Sequence, residues 1–265
     1  MYKERSMIQV KNTRSGVRFF LFPLLFLVLA SFALPLYAGN ADNGDSDFSI
    51  RKPRVFIGGH LGGNFPRASS DIFHMITRVL TLEKSDFRAP MGGFDVGVPF
   101  QSRFAAVFSF EYSRTSPYSE SRDYVDENGD PITQQTRLSQ IPVTGTLRFY
   151  PRKMGENVGS YAWVPNRVLP YIGAGAGFVH YNFEQYGDFV DESTLTIFRA
   201  SFESSGSTVT THVAAGIDIG LASRTFANFE ARYSWAEADL SRDFVGFQPI
   251  DLSGLRAVGG IYFRF

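Results

Sequence analysis

From residue 54 to its last residue the chain repeats one pattern, short runs in which apolar residues recur at every second position. A period of two belongs to β-strands, whose successive side chains point to opposite faces. In the last run, 254–265, Leu255, Ala257, Gly259, Ile261, Phe263 and Phe265 share one face, and Arg256, Gly260, Tyr262 and Arg264 the other. Seven earlier runs split the same way: 54–65, 91–100, 104–113, 141–150, 170–182, 208–221 and 227–240. The glycines of 173–177 (Gly-Ala-Gly-Ala-Gly) fall on the less apolar face of their run, and no helical pattern follows them. They read as strand positions where backbones approach closely rather than as a nucleotide loop.

Eight such strands can bury their apolar faces against a protein core or against lipid. Each run is about ten residues long, what a tilted strand needs to cross a bilayer core. Only 19–38 is apolar for long enough to cross as a helix. An even strand count closes a sheet without edges. Connections at 101–103 and 223–225 are tight and four others are long and polar, the asymmetry expected between the two mouths of such a barrel. The connection 151–169 breaks the alternation, and its Tyr161 and Trp163 are expected at the inner membrane interface. The predicted fold is all-β: an eight-stranded antiparallel up-and-down transmembrane β-barrel over residues 54–265.

The start of the chain fits export. Lys3, Arg5, Lys11, Arg14 and Arg18 precede an apolar run that ends at Ala38, so 1–38 reads as a signal peptide. Residues 39–53 hold Asp42, Asp45 and Asp47 with few apolar side chains and read as a disordered periplasmic leader. Five of the 26 basic residues and one of the 26 acidic ones precede residue 39, so the remainder carries a net charge of −4, with no nucleic-acid footprint. The chain contains no cysteine, which removes disulfides, thiolate metal sites and a lipid-attachment cysteine. The acidic clusters at 42–47 and 126–130 lack the spacing of a calcium loop, and no metal or cofactor is expected.

Four stretches together resemble the small eight-stranded bacterial outer-membrane β-barrel superfamily: Ile141-Pro142-Val143-Thr144 through Tyr150-Pro151, residues 169–177, residues 213–220, and the ending Tyr262-Phe263-Arg264-Phe265. Within it the chain is similar to the outer membrane protein W, OmpA-like and OmpX-like groups. The resemblance implies a monomer in the cell outer membrane, with both termini periplasmic. It also implies outer-membrane lipid and lipopolysaccharide as surroundings, and a barrel assembly machinery that reads Ile261, Phe263 and Phe265.

The strand face opposite the apolar one collects Arg54, His60, Asp95, Glu111, Arg148, Asp218, Glu230, Arg232, Arg256 and Arg264. An eight-stranded barrel is only wide enough for side chains to fill it, so these are expected to pair as a structural polar network. In the connection after the first strand, Ile72, Met75, Ile76, Val79 and Leu80 follow a helical period behind Ser69-Ser70-Asp71. That helix reads as a lid on the rim. The alternative, which the resemblance to the protein W group allows, is an apolar mouth for a small hydrophobic ligand. The primary expectation is therefore a non-enzymatic envelope or surface-interaction protein with a plugged lumen. The alternative is a narrow channel for small hydrophobic molecules, and the second alternative a lipid A-modifying enzyme. That enzyme would require a histidine beside a serine nucleophile on the outer surface.

Overall fold

The computed structural model describes residues 52–126, 129–158, 162–191 and 194–265. The signal peptide expected at 1–38 and residues 39–51 of the leader lie outside them, as does Tyr161; Lys52 and Pro53 precede the first strand without regular structure. In chain order the strands are β1 (Phe56–Pro66), β2 (Ala89–Pro99), β3 (Phe104–Thr115), β4 (Tyr118–Val125), β5 (Pro131–Phe149), β6 (Gly155–Val158), β7 (Ala162–Pro165), β8 (Val168–Val190), β9 (Ile197–Gly220), β10 (Thr225–Trp235), β11 (Glu237–Ala238), β12 (Ile250–Asp251) and β13 (Gly254–Arg264). One α-helix, α1 (Asp71–Val79), lies between β1 and β2.

Eight strands form a closed antiparallel ring in the order β3-β2-β1-β13-β10-β9-β8-β5, and the pairing of β5 back to β3 shuts it. The first and last strands are neighbours, from Phe56 opposite Arg264 to Pro66 opposite Gly254. The closing seam runs from Phe104 opposite Phe149 to Thr115 opposite Leu138. No strand of the ring is left with an unpaired edge along its whole length, which is what lets a sheet cross lipid.

Side chains on the outside of the ring form an apolar band. Ile57, Leu61, Phe94, Val98, Phe108, Val143, Leu147, Ile172, Phe178, Val209, Val213, Phe229, Leu255, Ile261 and Phe263 are all exposed. In water such a belt would be an aggregation surface; in a bilayer it is the matching one. About nine residues per strand lie in it, which at ~3.3 Å per residue and a ~40° tilt stands ~23 Å tall.

Three strands run well past the band. β5 has 19 residues, β8 has 23 and β9 has 24, against the expected runs of 141–150, 170–182 and 208–221. The period of two continues in these extensions, but the outward positions become polar: Arg137, Ser139, Asn182, Glu184, Ser205 and Ser207. Apolar alternation stops where the lipid stops, while backbone pairing does not. With β4 on the flank of β5, the extensions make a four-stranded sheet, β4-β5-β8-β9, at the end with the long loops.

The other end carries the tight turns, the start of β1 and the end of β13. The long connection there is the hairpin of β6 and β7, which folds across the base. Trp163, expected at the membrane interface, is buried in this hairpin instead, and a Cβ on Gly155 would collide with its indole.

Candidate functional site

The inward faces of the ring hold a continuous set of charges, which build from the wall strands one pair at a time. On β10, Glu230 accepts from Arg232 Nη2 at 2.6 Å and Nε at 2.9 Å, and on its other oxygen from Arg148 Nη2 of β5 at 2.7 Å. Arg232 Nη1 lies 3.3 Å from Glu111 of β3, whose second oxygen is 3.5 Å from Arg256 Nη1 of β13. His60 of β1 sits between two carboxylates, with Nδ1 3.4 Å from Asp95 of β2 and Nε2 3.5 Å from Glu111. Arg148 Nη2 approaches Asp95 at 3.9 Å and closes the circuit. All seven side chains are buried.

Neutral groups complete the ring. Tyr262 donates to Asp95 at 2.5 Å, Tyr171 to Glu230 at 2.7 Å, and Arg256 to Gln140 at 3.3 Å. Asp218 of β9 receives Tyr150 Oη at 3.0 Å and Asn228 Nδ2 at 2.6 Å. Arg148 stacks its guanidinium over the Tyr171 ring, 4.4 Å from the centroid, while its Nε and Nη1 have no hydrogen-bond partner among the described residues. His212 Nε2 meets Thr146 Oγ1 at 2.8 Å, and a Cβ on Gly175 would strike the His212 ring. A Cβ on Gly216 would meet the Tyr171 hydroxyl in the same way. The alternating glycines are therefore the room these inward side chains occupy.

Of the ten charges expected in the lumen, seven join this circuit, and Asp218 joins it through Asn228, which also donates to Tyr171 Oη at 2.9 Å. Arg264 faces inward but makes no ion pair within 4 Å among the described residues; its guanidinium lies 4.2 Å from the centre of the Phe226 ring. Arg54 requires correction. It is exposed, in a bend two residues before β1, where its N–H donates to the Phe265 carbonyl at 2.7 Å. Extending the strand parity to residue 54 carried it past the point where the ladder begins.

Above the charges the interior turns apolar. Ile72, Phe73 and Ile76 of α1 are fully buried, with Leu80, Leu82 and Phe87 from the same loop. They pack with Leu138, Tyr181 and Phe183 from the wall, and with Ala238, Phe244, Ile250 and Leu252 from the loop between β10 and β13. Met75 and Val79 are half-buried against this cluster. The set read as a possible apolar mouth packs, with these partners, as the core of a cap over the lumen. Phe73 was not in the predicted helical stripe, yet it stacks edge-on to Phe87 at 4.8 Å and Phe183 at 6.2 Å.

The cap is tied down by polar clasps. Ser70 is the N-cap but makes no cap bond with its side chain; its hydroxyl accepts from Asp251 N–H at 3.3 Å instead. Ser69 Oγ donates to Asp251 Oδ2 at 2.5 Å, and Asp71 accepts from Gln248 N–H at 3.0 Å. Burial pushes the Asp251 carboxyl up, but donors from Ser69 and Ser253 outweigh it and hold the group below its ordinary value. On the other side of α1, Arg122 Nε of β4 donates to the Leu80 carbonyl at 2.8 Å.

On the outer surface His180 of β8 and Ser207 of β9 are directly opposite, with Nδ1 and Oγ 3.0 Å apart. They stand one outward position beyond Phe178 and Val209, at the edge of the apolar band. No carboxylate is hydrogen-bonded to the second His180 nitrogen among the described residues.

No curated protein sequence matches this chain. Among solved structures it is similar to the outer membrane protein OprG of Pseudomonas aeruginosa, at 13% identity over 81% of this chain and 97% of that one, with a TM-score of 0.48. Neisserial surface protein A is 10% identical over 80% and 96%, with a TM-score of 0.41. The attachment invasion locus protein Ail of Yersinia pestis is 13% identical over 81% and 100%, with a TM-score of 0.37. A family model, the outer membrane protein beta-barrel domain, matches residues 24–248, most of the length of this chain. The chain belongs to the family of outer membrane protein beta-barrel domains.

Proposed function

We propose that this protein is a sealed outer-membrane barrel that works at its outer surface, as envelope structure or as a surface-contact protein, and neither conducts nor catalyses. The observation that carries this reading is the pair of plugs in series: a closed circuit of buried charges, and above it an apolar cap centred on α1. A solute would have to break both. In this reading the tight turns and both chain ends face the periplasm, and the sheet β4-β5-β8-β9 stands outside. That sheet offers Tyr118, Tyr124, Tyr186 and Phe198, exposed side chains of the kind that anchor protein contacts. Arg67 directly after β1, Arg88 directly before β2 and Arg114 near the end of β3 are exposed just beyond the apolar band, where lipopolysaccharide phosphates would meet them. The band around the ring suits a monomer in lipid, delivered by the barrel assembly machinery.

The test is single-channel recording of the purified protein in planar bilayers. The sealed reading expects no discrete openings in the wild type, and steady conductance would overturn it.

The His180–Ser207 pair favours a second reading, a lipid-modifying hydrolase, because it sets a base beside a hydroxyl at the lipid edge. Among the described residues no acid orients the histidine, so a cross-strand structural bond is the better account. Incubation with lipid A esters decides between them: the structural account expects no acyl release. Release that disappears in Ser207→Ala would establish the hydrolase.

A further inference from the structure

At the end of the barrel with the tight turns lies a cavity of about 500 Å³. Its inner wall is aromatic and apolar, from Phe56, Tyr150, Trp163, Leu169 and Phe226, all buried. The remaining groups around it include Arg264, Lys153, Asp218 and Glu156.

Arg264 sets the chemistry. The residue is 8% exposed, and its Nη1 has no hydrogen-bond partner among the described residues. Among the described residues lining the cavity, no other has an orphaned buried polar atom. Both oxygens of Asp218 are already engaged, by Tyr150 and Asn228. The unmet need is thus a donor without an acceptor, on a cation lying over the Phe226 ring. A buried guanidinium in that condition is costly, and a planar anion offers the matching geometry.

We propose that this basal cavity binds a small amphipathic carboxylate, an aromatic or short-chain fatty acid. Its carboxylate pairs with the Arg264 guanidinium, and its apolar body lies among Phe226, Trp163, Tyr150 and Leu169. The volume is within the range of small-molecule pockets, about 300–1,000 Å³, and its walls combine apolar lining with one fixing charge. The site is at the opposite end of the lumen from α1, below the charge circuit, so it needs no passage through the barrel.

The probe is 3-phenylpropionate, with its neutral amide and with phenethylamine as comparators. The chain has two tryptophans, so the Trp235→Phe form in detergent micelles leaves Trp163 as the only indole. Saturable change of Trp163 emission with 3-phenylpropionate is expected, with the amide about tenfold weaker or worse, the loss of a charge-assisted hydrogen bond. Arg264→Gln should weaken the acid to the level of the amide, and Arg264→Lys should recover part of the difference. Heat-modifiable migration on gels shows that each variant is folded. Equal affinity for acid and amide would overturn the assignment without any variant, as would tighter binding of phenethylamine, which would make Asp218 the reader. No saturable change with the acid would overturn it outright.

Discussion

The lumen and the cap plug the same tube by opposite chemistry. Beside the lipid, the outward positions must be apolar, so the alternation leaves the polar residues inside, and the interior is Arg148, Glu230, Arg232 and Glu111. Beyond the lipid the outward positions meet water, and the interior reverts to the arrangement of a soluble protein, with Phe73, Ile76, Phe87 and Phe183 at its centre. The solvent outside each stretch of wall decides what fills it. The failure modes should differ accordingly. The circuit has long-range, mutually dependent members drawn from six wall strands, whereas the helix and most of the side chains of the cap belong to two loops outside the ring.

The largest effect is expected from Glu111→Ala. It removes the carboxylate that His60, Arg232 and Arg256 share and leaves the buried Arg256 without its ion pair, at a cost of about 3–5 kcal/mol. Reversible urea unfolding in lipid vesicles measures it. A change under 1 kcal/mol would mean that the circuit is hydrated and that the contrast with the cap is overdrawn.

Ile76→Ala is expected to cost about 2–5 kcal/mol, but locally, as the deletion of a fully buried side chain from the cap. Protease cleavage within 67–88 should accelerate while the urea midpoint of the ring stays unchanged. If the ring transition moves with it, the two plugs form one cooperative unit.

Asp251→Asn tests the clasp between the two loops and is expected to cost about 1–3 kcal/mol of cap stability, the price of weakened charge-assisted bonds. The sign of its pH dependence follows from its lowered pKa. The stabilisation is fully present above the ordinary carboxylate value, about 3.9, and is lost as pH falls through the lower folded-state value. Hydrogen exchange of residues 69–80 should therefore stay slow at mildly acidic pH and quicken only below it. Quickening near neutral pH would exclude Asp251 as the clasp.

Much of this was legible in the sequence where one rule held throughout. A period of two with apolar outward positions locates all eight ring strands and places Asp95, Glu111, Arg148, Glu230, Arg232 and Arg256 inside. It fails at the ends of strands. Arg54 lies before the ladder, and the extensions of β5, β8 and β9 keep the period but lose the hydrophobic contrast. The tyrosines that complete the circuit, Tyr150, Tyr171 and Tyr262, were visible as inward positions, but an aromatic residue on the polar face does not announce a hydrogen bond to a particular carboxylate. The burial of Trp163 depends on where a hairpin folds, which no local period encodes.

The smallest effect is expected where neither chemistry applies. Arg137 and Glu184 face each other across β5 and β8 beyond the apolar band, 2.5 Å apart, with side chains 32% and 25% exposed. By distance this ion pair is as close as any in the circuit. Water reaches both partners, so screening and side-chain entropy offset most of the attraction. Arg137→Ala should cost only about 0.2–1 kcal/mol, less in high salt, and should leave cap proteolysis unchanged. The comparison with Glu111→Ala then separates distance from burial, since the longer contacts of Glu111 are expected to matter more. If Arg137→Ala proves as damaging as Glu111→Ala, the raised sheet is part of the barrel's cooperative core, and the division between a lipid-embedded ring and a soluble superstructure fails.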